Sequence, residues 1–194
     1  MMRQVLHAAL VAGVFLGALV SPASADHAGP QQVNRELEGW RVGNFTLLDQ
    51  GGRRFTQERL DGRWTFVLFG DAGCAQSCAA ALVALTGMCE RIAGTEIVKI
   101  TQVLFVSLDP EQDSPQRLGH YLASFDPRFI GASGSRETLD RLVQDLSPPG
   151  QSGTADRAGS LLLIGPDRYV RGEFLPPYDV ALLTARFLKV RIGR

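Results

Sequence analysis

Cysteine is scarce in this chain, with three residues in 194. That is too few for a disulfide-built scaffold and too few for a four-cysteine zinc site. An excess of charge of one sign is also missing. Lys+Arg and Asp+Glu number 20 each, for a net charge of zero, whereas a nucleic-acid-binding domain shows a basic excess. No Gly-x-y period, Gly/Ser run or repeat of about 20–50 residues is visible, which sets aside collagen-like chains, long linkers and solenoids. What is there is ordinary for a globular fold: 45% apolar and 21% charged residues, at a length that suits one domain with a real core.

The one long apolar run lies at the N-terminus. Arg3 supplies a positive start, Val5 to Val20 is apolar apart from His7 and two glycines, and Ser21-Pro22-Ala23-Ser24-Ala25 has the small-residue pattern of a cleavage site. The segment reads as a signal peptide over residues 1–25; the other reading is an uncleaved membrane anchor. Position 26 is Asp rather than cysteine, which argues against a lipoprotein. Removing the signal takes away only Arg3 among the charged residues and leaves a chain without a further membrane-spanning stretch. The expected location is the periplasm, where disulfides persist and reduced thiols need a reason to stay reduced.

Residues 26–42 are expected to be a flexible N-terminal segment. Asn44 to Thr56 alternates around Asp49-Gln50-Gly51-Gly52, which predicts a hairpin with Phe45, Leu47 and Phe55 facing inward. Trp64–Phe69 is a short, nearly continuous apolar run that predicts a buried central strand, and Thr101–Leu108 predicts a second buried strand. Gly70-Asp71-Ala72-Gly73 turns the first into Cys74-Ala75-Gln76-Ser77-Cys78, and a helix follows to about Ile92. Ser114 as N-cap and Pro115 at the first helical position predict a second helix with Leu118, Tyr121, Leu122 and Phe125 inward. A third helix covers 136–146, and a Gly/Ser/Pro loop covers 147–159. Leu161–Ile164 and Tyr169–Phe174 predict a hairpin, and a last helix runs from about Asp179 to Lys189.

That order is an α/β arrangement of the thioredoxin-like type with an N-terminal β-hairpin extension. The two buried strands become parallel through a right-handed crossover, so their C-terminal ends share one edge of the sheet. Cys74, Cys78 and Asp109 fall on that edge, and so does the entrance of the strand at Leu161, from Thr154 to Gly159.

Cysteines four residues apart on one helix face have Cα atoms about 6 Å apart, inside the range for a disulfide. A helix N-terminus stabilises a thiolate, the species that attacks disulfides and binds soft metals. The pair therefore suits a reversible disulfide or two sulfur ligands for Cu(I); a static disulfide closing so small a loop would add little stability. Cys89 lies about 16 Å further along the helix from Cys78 and reads as a buried core residue. For Asp113 the expectation is a turn and helix-cap role; Asp109 is left open.

With these residues placed, the chain resembles the Sco/SenC family of exported thioredoxin-fold copper proteins. The resemblance is carried by Phe45-Thr46-Leu47-Leu48-Asp49-Gln50-Gly51-Gly52, by Phe66-Val67-Leu68-Phe69-Gly70 leading into Cys74-x-x-x-Cys78, and by Val106-Ser107-Leu108-Asp109-Pro110-Glu111-Gln112-Asp113-Ser114-Pro115. Phe125-Asp126-Pro127-Arg128-Phe129-Ile130-Gly131 and Leu163-Ile164-Gly165-Pro166-Asp167 fit as well. It covers about residues 43–190 and implies one such domain over 43–194. It also implies a role in maturing the dinuclear copper centre of cytochrome c oxidase, with copper bound by Cys74 and Cys78 and a partner in the oxidase copper subunit or another periplasmic thiol or copper protein. The family's third ligand is a histidine shortly before the penultimate strand. Here Asp156 keeps the preceding Asp and Arg157 falls on the histidine; Ala75 and Ala79 stand where the family usually has prolines. Arginine cannot donate a lone pair to copper, and the histidines left after signal removal are His27, near the new terminus, and His120, read as a solvated helix residue. Two thiolates still hold Cu(I), while Cu(II), which favours imidazole, is expected to be retained less well. A guanidinium beside the thiolates would stabilise them.

Three functions compete. One is a copper carrier using Cys74 and Cys78. The second is a thiol–disulfide oxidoreductase in which Cys74 attacks, Cys78 resolves and Arg157 stabilises the thiolate, keeping a partner's metal-binding cysteines reduced. The third is a sensing or docking module without turnover.

Overall fold

The computed structural model describes residues 35–36, 39–74, 76–147 and 159–193. The proposed signal peptide, His27, Ala75, Asp156 and Arg157 lie outside them. In chain order the elements are β1 (Arg35–Glu36), β2 (Thr46–Asp49), β3 (Arg54–Thr56), a 3-10 turn (Gln57–Leu60), β4 (Trp64–Gly70), α1 (Ser77–Arg91), α2 (Glu96–Lys99), β5 (Thr101–Ser107), α3 (Pro115–Ala123), β6 (Ile130–Ser133), α4 (Arg136–Asp145), β7 (Leu161–Ile164), β8 (Val170–Phe174) and α5 (Val180–Ile192). The strands form one sheet in the order β1-β8-β7-β4-β5-β6-β2-β3. β4, β5 and β6 are mutually parallel; the other pairings are antiparallel.

The nearly continuous apolar run of β4 has a direct cause: all seven of its residues are buried, because helices cover both faces of the sheet. Trp64, Phe66 and Leu68 face a core built with α1, α3 and α5. Val67 and Phe69 face a second core built with the β2–β3 hairpin and α4. Thr65, also on that run, is buried with its hydroxyl accepting from the Gln102 amide at 2.9 Å. Among the described residues no helix is long and apolar enough to cross a membrane.

The expected hairpin forms, with Phe45, Leu47 and Phe55 all buried. The Asp49 carboxylate organises its turn by accepting from the Gly51 and Arg53 N–H groups at 2.9 Å each. The hairpin is part of the sheet because β2 pairs with β6. Gln50 locks that join: its side chain accepts from Gly131 N–H at 2.8 Å and donates to the Phe129 carbonyl at 3.0 Å. Part of the expected flexible lead-in also has a place. β1 pairs with β8, and Val170 N–H donates to the Trp40 carbonyl at 3.0 Å.

β6, like β1, is a strand the sequence reading does not anticipate. Ile130-Gly131-Ala132-Ser133 is short and built mostly of small residues, so it carries a weak strand signal. Gly131 has a packing reason: a Cβ there would stand 2.7 Å from Leu122 Cδ1 of α3. The helix starts are closer to expectation. Ser114 accepts from Arg117 N–H ahead of Pro115, and Asp179 accepts from Leu182 N–H at the start of α5.

Candidate functional site at the C-terminal edge of the central strands

β4 and β5 run side by side, with Gly70 opposite Ser107, so their C-terminal ends open onto one edge. Beyond Gly70 the chain makes a tight turn. Cys74 N–H donates to the Asp71 carbonyl at 3.0 Å, and the Asp71 carboxylate accepts from Gly73 N–H at 2.7 Å. The turn delays the helix until Ser77. Cys74 is therefore a loop residue and only Cys78 lies in the first turn of α1, which corrects the expectation of two cysteines on one helix face. The distance survives the correction. The Cα atoms are 5.7 Å apart and the two sulfurs are joined in a disulfide.

The two sulfurs have different surroundings. Cys78 is fully buried, while Cys74 is partly exposed. Cys78 Sγ lies 4.0 Å from the Phe69 carbonyl, and a Cβ added at Gly70 would overlap it. Cys74 Sγ lies 3.3 Å from the Ser77 hydroxyl, which alone of the two has a proton to donate while the disulfide stands. In the dithiol, the same hydroxyl and the N-terminal N–H groups of α1 would favour a thiolate at this end.

The neighbouring loop is tied to this one by Asp113. Its carboxylate is buried, with a residue exposure of 3%. Oδ2 accepts from Ala72 N–H at 2.8 Å and from the Ser107 hydroxyl at 2.6 Å. Oδ1 is buried with no hydrogen bond, and Arg117 Nε is 3.5 Å away. The turn-and-cap expectation for Asp113 therefore gives way to a link between loops; the Ser114 side chain does the capping. Asp109 has the turn role, accepting from Gln112 N–H at 3.2 Å.

The third loop reaches the edge at Gly159. A Cβ there would stand 2.7 Å from Ser77 Cβ, and the φ of 88° suits glycine. The Tyr178 hydroxyl donates to the Gly159 carbonyl. The chain two residues beyond Arg157 is thus packed against the first turn of α1. The particular roles of Gly70, Ser77, Ser107 and Gly159 are not readable from the sequence, because each matters through a contact made in space.

Cys89 is free and buried on α1, beside a cavity of about 430 Å³ that Lys99, Gln102 and Arg128 also line. Burial pushes its thiol up to about 11. In the reduced protein at pH 8, iodoacetamide should therefore modify Cys74 well before Cys89. Peptide mass mapping against time checks this; equal rates would contradict it. His120 is exposed on α3, as expected. Among the described residues no group of three or more His, Cys, Asp or Glu converges as a metal cage.

The family model SCO1/SenC matches residues 35–189. A Stutzerimonas stutzeri protein whose name proposes copper binding is 31% identical over 143 residues, covering 70% of each chain. The human mitochondrial SCO1 homolog is 29% identical over 141 residues, which cover 69% of this chain but only 46% of that one. The chain thus spans about half the length of that mitochondrial relative. Among solved structures, Arabidopsis thaliana ScoI with copper bound superposes with a TM-score of 0.68 at 25% identity, over 80% of this chain and 100% of that one. Yeast Sco1 with copper bound gives 0.70 at 23% identity, over 79% and 94%, a likeness of fold.

Proposed function

The chain belongs to the SCO1/SenC family, and on that premise we propose that it binds Cu(I) through Cys74 and Cys78 and passes it to the copper subunit of a cytochrome c oxidase. The observation that carries the proposal is the cysteine pair itself: two sulfurs close enough to bond, at the sheet edge, one of them open to solvent. In the dithiol form the same pair offers two soft thiolates to one low-coordinate cuprous ion. Copper here is cargo. Partial exposure of Cys74 gives an incoming thiolate a route to the ion, and burial of Cys78 holds the other side.

The proposed cell location is the periplasm, reached by cleavage after Ala25, with the mature chain free of the membrane. Arg157 is proposed to stand near the thiolates and favour their charged form. The packing of Gly159 against Ser77 supports that position.

A second reading is favoured by the disulfide and by the exposure of Cys74. In it the dithiol reduces a disulfide on the partner. Cys74 thiolate attacks one partner sulfur and the other leaves as thiolate. Cys78 then attacks the mixed disulfide, leaving a reduced partner dithiol and the Cys74–Cys78 disulfide. Both readings are tested by mixing Cu(I)-loaded protein with the apo copper domain of an oxidase whose cysteines are reduced, and metal-free dithiol protein with the same domain oxidised. The carrier reading expects Cu(I) in the oxidase domain after separation. Cu(I) remaining on the donor, with reduction of the oxidised domain, would overturn it in favour of the second.

A further inference from the structure

We propose that Asp113 is a positioning residue for the Cys74–Cys78 pair: its buried carboxylate clamps the loop bearing Cys74 to the end of β5 and so holds the two sulfurs together. This rests on Cys74–Cys78 being the working pair of the proposed function.

The geometry is specific. One carboxylate oxygen takes both hydrogen bonds, from Ala72 N–H at 2.8 Å and from the Ser107 hydroxyl at 2.6 Å. Ala72 stands two residues before Cys74. Ser107 ends β5, and its register partner on β4 is Gly70, the residue that leaves room for Cys78 Sγ. The clamp therefore joins the backbone leading into one cysteine to the strand end beside the other. The cost of such a buried charge is offset only in part, since Oδ1 has no hydrogen bond and Arg117 approaches it at 3.5 Å. A capping role would not require that burial, because Ser114 already supplies the cap of α3.

Held loops raise the effective concentration of one thiol at the other, which favours the disulfide over the dithiol. The measurable quantity is the equilibrium in which dithiothreitol gives two electrons and two protons to the Cys74–Cys78 disulfide. Each Cys becomes a thiol and the reagent becomes its cyclic disulfide. The full chain, its Asp113→Ala and Asp113→Asn variants, and an Asp49→Ala control are equilibrated without metal in dithiothreitol buffers and quenched by alkylation. The fraction oxidised is read by mass. Asp49 is a comparably buried carboxylate, 1% exposed, that serves the hairpin.

The expected result is at least a tenfold fall in the equilibrium constant for disulfide formation in Asp113→Ala, a potential about 30 mV less negative. Asp113→Asn, which keeps an acceptor oxygen, and Asp49→Ala should each stay within threefold of the unsubstituted chain. A constant unchanged in Asp113→Ala, or lowered equally by Asp113→Asn, would overturn the clamp. Should Asp113→Ala fail to fold, Ser107→Ala removes one of the two bonds and must lower the constant at least threefold; no change there overturns the proposal as well. Failure of the unsubstituted chain to bind Cu(I) would defeat the copper reading without altering this metal-free equilibrium.

Discussion

Replacing Cys78 with serine is expected to abolish tight Cu(I) binding while leaving the fold in place. The loss should go well beyond the roughly 10–100-fold that removal of an outer hydrogen-bond partner of a metal site costs, because a soft donor is replaced by a hydroxyl with little affinity for cuprous ion. Cys78 is buried and faces the Phe69 carbonyl, so a serine hydroxyl has an acceptor within the space it inherits. The disulfide closes a very short loop, and its removal should cost only about 2 kcal/mol on the chain-entropy account. Under reducing conditions, where that term vanishes for both proteins, Cys78→Ser and the unsubstituted chain should melt within a few degrees of each other. Cu(I) affinity in competition with a chromogenic chelator, measured beside thermal melts of the metal-free proteins, separates the two effects. Retention of tight one-to-one binding in Cys78→Ser would remove this residue from the site.

The second large effect is expected from a residue with no chemistry of its own. Gly70 ends β4 beneath the disulfide, where a methyl group would overlap Cys78 Sγ and come within 3.4 Å of the Phe105 ring. Cys78 cannot swing away freely, since it is fixed on α1 and bonded to Cys74, and Gly70 itself is held by the bond from Leu108 N–H to its carbonyl at 2.7 Å. Gly70→Ala should therefore behave as an overpacked core substitution and destabilise the oxidised protein by about 1–3 kcal/mol, roughly 2–12 °C in Tm. The dithiol form should suffer less, because an unbonded Cys78 side chain has rotamers available to it. Scanning calorimetry of oxidised and reduced Gly70→Ala checks this; an equal loss in both forms would mean that the strain does not run through the sulfur.

The central architecture was legible in the sequence because it rests on local pattern. Trp64 to Phe69 is apolar apart from Thr65, the mark of a strand buried on both faces, and the Ser114-Pro115 pair announces a helix start. Thr101 to Leu108 repeats the strand pattern, and together these place the cysteine edge. β6 is not legible, since Gly131 admits α3 and the preference that would mark a strand is weak in Ile130-Gly131-Ala132-Ser133. α1 starts at Ser77, later than the Cys74–Cys78 spacing predicts, for a related reason. The Asp71–Cys74 turn is held by hydrogen bonds that compete with the helix, and nothing in the spacing of Cys74 and Cys78 discloses them. Asp113 shows the same limit at the site. In sequence it is one acid in a turn-rich stretch ahead of a proline, and only the meeting of two loops makes it a buried acceptor for Ala72 and Ser107.

Family membership and the proposed departure at position 157 pull in opposite directions. Two thiolates suffice for cuprous ion, whereas arginine contributes no ligand. The most direct test is a Cu(I) competition titration of reduced residues 26–194, with Cys74→Ser and Arg157→His measured alongside. The account predicts tight one-to-one binding by the unsubstituted chain and its loss in Cys74→Ser; Arg157→His should add Cu(II) retention. Weak or absent Cu(I) binding by the unsubstituted chain, restored by Arg157→His, would contradict the carrier function and leave the cysteine pair as a thiol–disulfide couple.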